Sequence, residues 1–154
     1  MKYKTIPTDE NVKWNEEDLK PHQGIGAVIK GPKPGEILLQ KHTKLKLWTI
    51  PVGKGRQEEA SEDVLKRELK EELGIDVKHT SLLGTEGLLT TRNNKKMRIP
   101  TYLYLVNKYD GDIQNLEPHK HEIQEFKDPQ KLVLDGEPIS HALTHWLRHA
   151  RKQK

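Results

Sequence analysis

Three carboxylates, Glu68, Glu71 and Glu72, stand close together in the run Ser-Glu-Asp-Val-Leu-Lys-Arg-Glu-Leu-Lys-Glu-Glu-Leu that begins at Ser61. On a helix they occupy positions i, i+3 and i+4, so their side chains leave neighbouring points of one face. Unneutralised, each like-charged pair at this spacing costs roughly 0.2–0.5 kcal/mol. A hard cation such as Mg²⁺ wants oxygen ligands gathered in this way. A solvated helix face, with Glu62 paired to Lys66 and Lys70 offsetting charge, accounts for the same residues if they stand alone. His141, His145 and His149 form a second cluster at helical spacing, but they lie opposite the apolar stripe of their helix and read as a solvent face. Cysteine is absent, which excludes a thiolate metal site, a cysteine nucleophile and a disulfide framework.

The elements that must position the carboxylates follow from periodicity and turn chemistry. Residues 61 to 73 predict a helix: Ser61 can cap it, Glu62 and Asp63 suit its positive end, Val64, Leu65, Leu69 and Leu73 bury one face, and Gly74 stops it. Upstream, Ile25, Ala27 and Ile29 alternate, and the turn-forming stretch from Lys30 to Gly35 leads into Glu36 to Gln40, so these two runs read as a hairpin. Trp48 to Pro51 is a third short extended piece. Residues 81 to 90 and 98 to 106 are the next strand candidates, and Asp110-Gly111-Asp112 marks a turn. Residues 139 to 150 predict an amphipathic helix through Leu143, Trp146, Leu147 and Ala150. Strands mixed with two helices indicate one α+β domain over residues 22–154, preceded by a polar N-terminal arm over residues 1–21.

Length and composition agree with one domain. The chain has 154 residues, within the range of about 100–200 for a single domain. Hydrophobic and charged residues are each 32%, a lean core. Leu, Ile, Val and Phe still make up 37 residues of the chain, above the roughly 20% below which a charged chain stays disordered. The N-terminal stretch lacks an apolar signal region, and no run approaches the about 20 apolar residues that span a bilayer, so the chain reads as soluble and cytoplasmic, without a membrane partner. Net charge is +4. Basic residues gather at Lys41, Lys44, Lys46, Lys54 and Arg56, again at Arg92, Lys95, Lys96 and Arg98, and in the tail, while acids concentrate between Glu58 and Glu72. A basic rim beside an acidic centre suits a metal-assisted phosphate site.

The carboxylates do not in fact stand alone. Gly53, Glu59, Arg67, Glu68, Leu69, Glu71, Glu72, Gly74 and Ile75 fit Gly-x5-Glu-x7-Arg-Glu-U-x-Glu-Glu-x-Gly-U, where U is a bulky aliphatic. A chance match to the seven fixed residues is on the order of one in 10⁸ at a given start. This segment resembles the Nudix box, and with Trp48, Ile50 and Pro51 leading into it the resemblance covers about residues 22 to 150. It implies an α/β/α sandwich with a mixed β-sheet, a loop-helix-loop catalytic motif, and hydrolysis of a nucleoside diphosphate linked to another moiety. Carried over by position, Glu68, Glu71, Glu72 and the carbonyl of Gly53 would bind Mg²⁺, with Mn²⁺ able to substitute. The cation would neutralise the diphosphate and activate water. Arg67 would pair with Glu59 and orient the helix. The stretch Asn115 to Lys120 resembles the Asn-x-Glu-Pro-x-Lys segment of small family members acting on nucleoside triphosphates, although Phe126 stands where a tryptophan often follows. Glu122 is the expected base or additional metal ligand from this loop, with His121 a weaker candidate.

Two features depart from the family pattern. Val64 and Leu65 replace the small residues that often precede the box arginine, and Lys54 splits a common Gly-Gly pair. Lys54, Arg56 and Arg92 are candidate phosphate contacts, and Tyr102, Tyr104 or Trp48 could stack on a base, although strand aromatics are more often core. Downstream of the box, Thr90, Thr91 and Arg92 replace the tyrosine and proline marks of dinucleoside polyphosphate and ADP-ribose subfamilies. The expected substrate is a nucleoside triphosphate or related nucleotide. An RNA 5′ end or a dinucleoside polyphosphate is the alternative, and a non-catalytic nucleotide-binding domain is disfavoured by the intact box.

Overall fold

A computed structural model describes residues 14–152, so residues 1–13 of the expected arm lie outside the described residues. The elements, in order, are α1 (Glu16–Leu19), β1 (His22–Val28), β2 (Ile37–His42), β3 (Trp48–Thr49), β4 (Val52–Arg56), α2 (Ser61–Leu73), β5 (Asp76–Arg92), β6 (Lys95–Asp110), β7 (His121–Lys127), α3 (Pro129–Leu134) and α4 (His141–Lys152). They build a four-stranded sheet in the order β4-β1-β6-β5 and a three-stranded sheet in the order β3-β2-β7. In the larger sheet β1 runs parallel to β6 and antiparallel to β4, and β5 is antiparallel to β6. The sheet is therefore mixed, as expected.

Alternation along the strands sends side chains to two cores. Ile25, Ala27 and Ile29 join Tyr104, Val106 and the buried face of α2 on one side. Val28 and Leu103 join Trp48, Ile50, Leu132 and the buried face of α4 on the other. The larger sheet thus lies between α2 and α4, the α/β/α layering implied by the box. Among the described residues no helix is long and apolar enough to cross a membrane.

Three sequence expectations need correction. The turn between β1 and β2 forms, with Gly31 N donating to Glu36 O at 2.8 Å and Leu38 N to Ile29 O at 2.9 Å around an antiparallel Lys30–Ile37 bridge, but the expected hairpin pairing stops there. The two strands diverge into separate sheets, because β1 is buried on both faces and is a central strand. The N-cap of α2 is Ala60, which has no capping group. Ser61 is already helical, and its hydroxyl meets the Tyr104 hydroxyl instead. The histidines of α4 are not a solvent face. His141 Nε2 and His145 Nδ1 lie 3.4 and 3.5 Å from Glu86 Oε1, and Arg148 donates to both Glu86 oxygens at 2.7 Å. The His145 side chain is only 12% exposed. A helical wheel finds the apolar stripe but cannot see that β5 covers the adjoining face.

The glycines of β4 set how closely the box loop approaches its helix. By the pleat of β4, Gly53 and Gly55 face α2 while Val52, Lys54 and Arg56 face away. A Cβ at Gly53 would fall 2.3 Å from Glu68 Cγ, and one at Gly55 would fall 2.4 Å from Val64 Cγ2. The bulky Val64 thus occupies space that Gly55 leaves open, which joins the two departures from the family pattern into one compensated seam. Accordingly, Gly55→Ala should destabilise the protein by roughly 1–3 kcal/mol, the range of overpacked cores. Adding Val64→Ala should return part of that loss as a coupling of at least about 0.5 kcal/mol. Urea melts of the single and double variants measure it, and strictly additive losses would contradict the shared seam.

Candidate active site

The box loop is fastened before its carboxylates come into play. Glu59 Oε1 accepts from the Arg56 backbone N–H at 2.9 Å, and Glu59 Oε2 accepts from Arg67 Nη1 at 2.5 Å. Arg67 Nη2 also reaches the Lys54 carbonyl at 3.5 Å. From β1, the Gln23 amide donates to the carbonyls of Arg56 at 2.9 Å and Glu59 at 2.7 Å. Arg67 and its hydrogen bond hold the Glu59 carboxyl below its usual range. The expected Arg67–Glu59 pair is therefore present, and it ties α2 to the loop in front of it.

One turn further along α2, Glu68 packs on Gly53 and Glu71 faces solvent. Glu72 is the exception. It is only 5% exposed, and its Oε2 is buried with no hydrogen-bond partner among the described residues. This corrects the reading of residues 68, 71 and 72 as one open face. Burial, then the charges of Glu68 and Glu117, pushes the Glu72 carboxyl up to about 8. Burial and Glu71 raise Glu68 as well.

The loop after β6 closes over the end of this helix. Leu116 N donates to Glu72 O and Gln114 N to Leu73 O, each at 3.0 Å, while Gly74 N satisfies Lys70 O. Gly74 adopts φ 74°, which a glycine accepts without strain. These bonds satisfy carbonyls that a helix end otherwise leaves open. They also bring Glu117 and Lys120, paired at 3.1 Å, into the electrostatic surroundings of Glu68 and Glu72. Asn115 Nδ2 donates to the His121 carbonyl at 2.8 Å and shapes the turn.

The remaining expected residues have partners of their own. Glu122 lies on β7 and pairs with Lys46 Nζ at 3.1 Å, whereas Glu117 is among the charges that raise Glu68 and Glu72. His121 is buried beside His42, and burial pushes it down to about 4. Lys54 pairs with Asp18 of α1, and Arg56 with Glu58 at 2.9 Å. Both project from the side of β4 away from α2. The Arg92 guanidinium lies 3.9 Å from the Trp14 ring centroid and donates to the Asp18 carbonyl at 3.0 Å. Tyr102 is partly buried against the α2-side core. Gln23 and Asp18 were not singled out by the sequence, and Glu117 and Lys120 entered it only as the Glu and Lys of the Asn115 to Lys120 resemblance, without a role of their own. The latter two lie inside the Asn115 to Glu122 segment, where a Glu and a Lys three apart were the available signal.

Chemically, a buried anionic oxygen without a donor calls for a cation, and carboxylates with a backbone carbonyl are the donor set of a hard divalent ion. Glu68, Glu71, Glu72 and Gly53 O fit that requirement. Among the described residues no three His, Asp or Glu side chains already enclose a cation position, so the carboxylates would have to draw together around one. A family model described as NUDIX domain matches residues 20–147. The chain belongs to the Nudix family.

This Nudix chain is 34% identical over 82 residues to the RNA pyrophosphohydrolase of Hahella chejuensis (strain KCTC 2396), covering 53% of this chain and 49% of the relative. It is 32% identical over 74 residues to the RNA pyrophosphohydrolase of Marinomonas sp. (strain MWYL1), covering 47% and 45%. The chain spans about half the length of these curated relatives. Among solved structures it is similar to a MutT NUDIX hydrolase from Burkholderia pseudomallei, with a TM-score of 0.67 and 29% identity over 84% of this chain and 98% of that one.

The buried Glu72 gives the metal-free Nudix protein a signature in its stability. Between about 4.5 and about 8 the folded chain keeps the Glu72 proton that the unfolded chain has lost. The stability this group contributes at low pH is therefore lost as pH rises through that window. Glutamine does not titrate. In chelator, Glu72→Gln should gain on the wild type between pH 5 and pH 8 by on the order of a few kcal/mol. Denaturant melts at the two pH values test this, and a pH-independent difference would count against a buried, protonated Glu72.

Proposed function

We propose that the chain is a divalent-metal-dependent pyrophosphohydrolase that cleaves a phosphoanhydride bond of a nucleotide. Its preferred substrate in this reading is a nucleoside triphosphate or related free nucleotide, leaving a nucleoside monophosphate. The observation that carries the reading is the partnerless Glu72 carboxylate oxygen beside Glu68, at the loop-helix junction of a complete Nudix box. Glu68, Glu71, Glu72 and the Gly53 carbonyl would hold Mg²⁺, with Mn²⁺ able to replace it. When bound, the cation supplies charge neutralisation on the diphosphate and Lewis acidity at the reacting phosphoryl group.

The chain's own groups do the rest. Arg67 and Glu59 fix the loop carrying Gly53 against α2, so the ligand oxygens keep their places. Glu117 accepts the proton of the attacking water in this proposal, the role the sequence pointed to at Glu122. Its support is its position over the end of α2 and its charge coupling to Glu68 and Glu72. Lys120 pairs with Glu117 at 3.1 Å and holds its carboxylate in place. Lys54 and Arg56 would reach a terminal phosphate only around the edge of β4, and Lys54 only after leaving Asp18. Tyr102 offers a partly buried ring on the α2 side of the sheet for the base.

A second reading, hydrolysis at a triphosphorylated RNA 5′ end, is favoured by the two relatives bearing the RNA pyrophosphohydrolase name. Its products would be pyrophosphate and a 5′-monophosphorylated RNA. The cytoplasmic placement remains part of the proposal, resting on the absence of cysteine from the sequence.

Activity should vanish in chelator and return with Mg²⁺ or Mn²⁺, and persistence without metal would overturn the reading. Glu72→Gln should lower kcat by roughly two orders of magnitude or more while the chain still folds, because it removes ligand charge and leaves the volume unchanged. A panel of nucleoside triphosphates, dinucleoside polyphosphates, ADP-ribose and triphosphorylated RNA decides the substrate by kcat/KM. A free triphosphate should lead. ADP-ribose or a dinucleoside polyphosphate in first place would refute both readings, and RNA in first place would establish the second.

A further inference from the structure

The β5–β6 hairpin is much longer than the sheet that carries it. β1 pairs with β6 only from Thr101 to Leu105, whereas β5 and β6 remain paired out to Arg92 and Lys95 across an Asn93-Asn94 turn with φ of 50° and 66°. Residues 86 to 100 therefore form a two-stranded ribbon beyond the sheet edge. The pairing from Gly84 to Arg92 is regular, so strict alternation assigns its faces. One face carries Glu86, which binds α4, and Arg92 and Lys95, which bind the N-terminal segment through the Asp18 and Leu19 carbonyls. The basic cluster read from the sequence is thus split, and half of it is structural.

The other face continues the α2 side of the sheet. Tyr102 begins it, in the same cross-strand row as Gly53 through Ile25. Arg98, Leu89, Lys96 and Thr91 follow outward, with Arg98 paired across from Leu89 and Lys96 from Thr91. No carboxylate lies on this face. Lys54, Arg56, Arg67 and Lys120 each have an acidic partner, but among the described residues no ion pair involves Lys96 or Arg98. Arg98 reaches over Gly87, whose Cβ would stand 3.0 Å from Arg98 Nε, so the guanidinium lies close to the bare backbone there. Leu89 beside it is 76% exposed. From Tyr102 to Lys96 the face runs about 20 Å at the usual strand rise, farther than one nucleotide extends.

We infer that this face, from Tyr102 through Arg98 and Leu89 to Lys96, is the seat of the RNA chain that follows a 5′-terminal phosphate group. The inference rests on the second reading above and extends it. Unpaired cations spaced along a face without acids fit the phosphates of a single strand, and the planar guanidinium, the tyrosine ring and the exposed leucine offer sequence-tolerant surfaces to its bases. A free nucleotide, which ends near Tyr102, does not reach Lys96.

The test is the full chain carrying Lys96→Ala and Arg98→Ala, with a charge-reversed pair, Lys96→Glu and Arg98→Glu, as the second variant. Binding of a ten-nucleotide 5′-monophosphorylated RNA is read by fluorescence anisotropy across salt concentrations, and kcat/KM is read on triphosphorylated RNA and on a free nucleoside triphosphate. RNA affinity should fall about tenfold and the slope of log affinity against log salt should shrink by about 1.4, the value for two contacts on a single strand. Hydrolysis of the free nucleotide should be unchanged. If the wild type binds RNA through this ribbon but cleaves only free nucleotides, the inference stands and the RNA substrate reading falls. Unchanged RNA binding in both variants, equal losses on RNA and free nucleotide, or ribbon-dependent binding to anionic vesicles with none to RNA would overturn it.

Discussion

A carboxylate sealed at the far end of α2 is the constraint on which the site depends. Glu72 sits on a helix whose other buried residues are aliphatic, and its buried Oε2 meets no donor among the described residues. Burying such a group costs free energy unless it is neutralised. A proton does this in the metal-free chain below about pH 8, and a bound cation would take its place. Both the loop that packs on the helix end and the charges around it follow from that position. Leu116 and Gln114 close the helix through backbone bonds, leaving side chains free for chemistry, and Lys120 sets one positive charge among Glu68, Glu72 and Glu117. An apolar residue at position 72 would pack at least as well, which is why the acid there points to a ligand and not to stability.

Holding that carboxylate in register is the work of parts that do no chemistry themselves. Gly53 and Gly55 allow β4 to touch α2, and Val64 fills the gap at one of them. Arg67, Glu59 and Gln23 lock the connecting loop from three directions. On the far side of β4, Lys54 is joined to Asp18, and Arg92 to Trp14, so the segment before β1 is strapped to the domain. Positive charge is thus divided: Lys54, Arg92 and Lys95 anchor the N-terminal segment, Arg67 and Lys120 stand among the acids of the site, and Lys96 and Arg98 are displayed along the distal ribbon.

Much of this was legible in the sequence, for identifiable reasons. The helix from 61 to 73 has a strong apolar period and a glycine stop, and the box residues keep fixed spacing because each touches another: Glu59 with Arg67, Gly53 with Glu68. What could not be read depends on partners distant in the chain. The β1 and β2 runs look like a hairpin because local turn chemistry is all the sequence displays, while the choice of β6 as the neighbour of β1 is a tertiary matter. Strand β4, Val-Gly-Lys-Gly-Arg, has the composition of a loop and becomes a strand only by pairing with β1. His141 and His145 of α4 lie off the apolar stripe, and their approach to Glu86 on β5 is what partly buries them. Glu117 and Glu122 are both glutamates of the same segment, and the backbone bonds at 114 and 116 bring Glu117 near the helix end, while Glu122 lies on β7 paired with Lys46.

The measurement closest to the central claim is calorimetric titration of the metal-free protein with Mg²⁺ near pH 7, repeated in two buffers of different ionisation enthalpy. If Glu72 is held protonated until a cation takes its place, binding must release a proton, about one per site at a pH below the raised Glu72 value. The apparent heat should then differ between buffers, and that difference should disappear in Glu72→Gln, which should also bind the cation more weakly. Heats that do not depend on buffer, or equal Mg²⁺ affinity in the wild type and Glu72→Gln, would contradict a buried carboxyl that exchanges its proton for a metal.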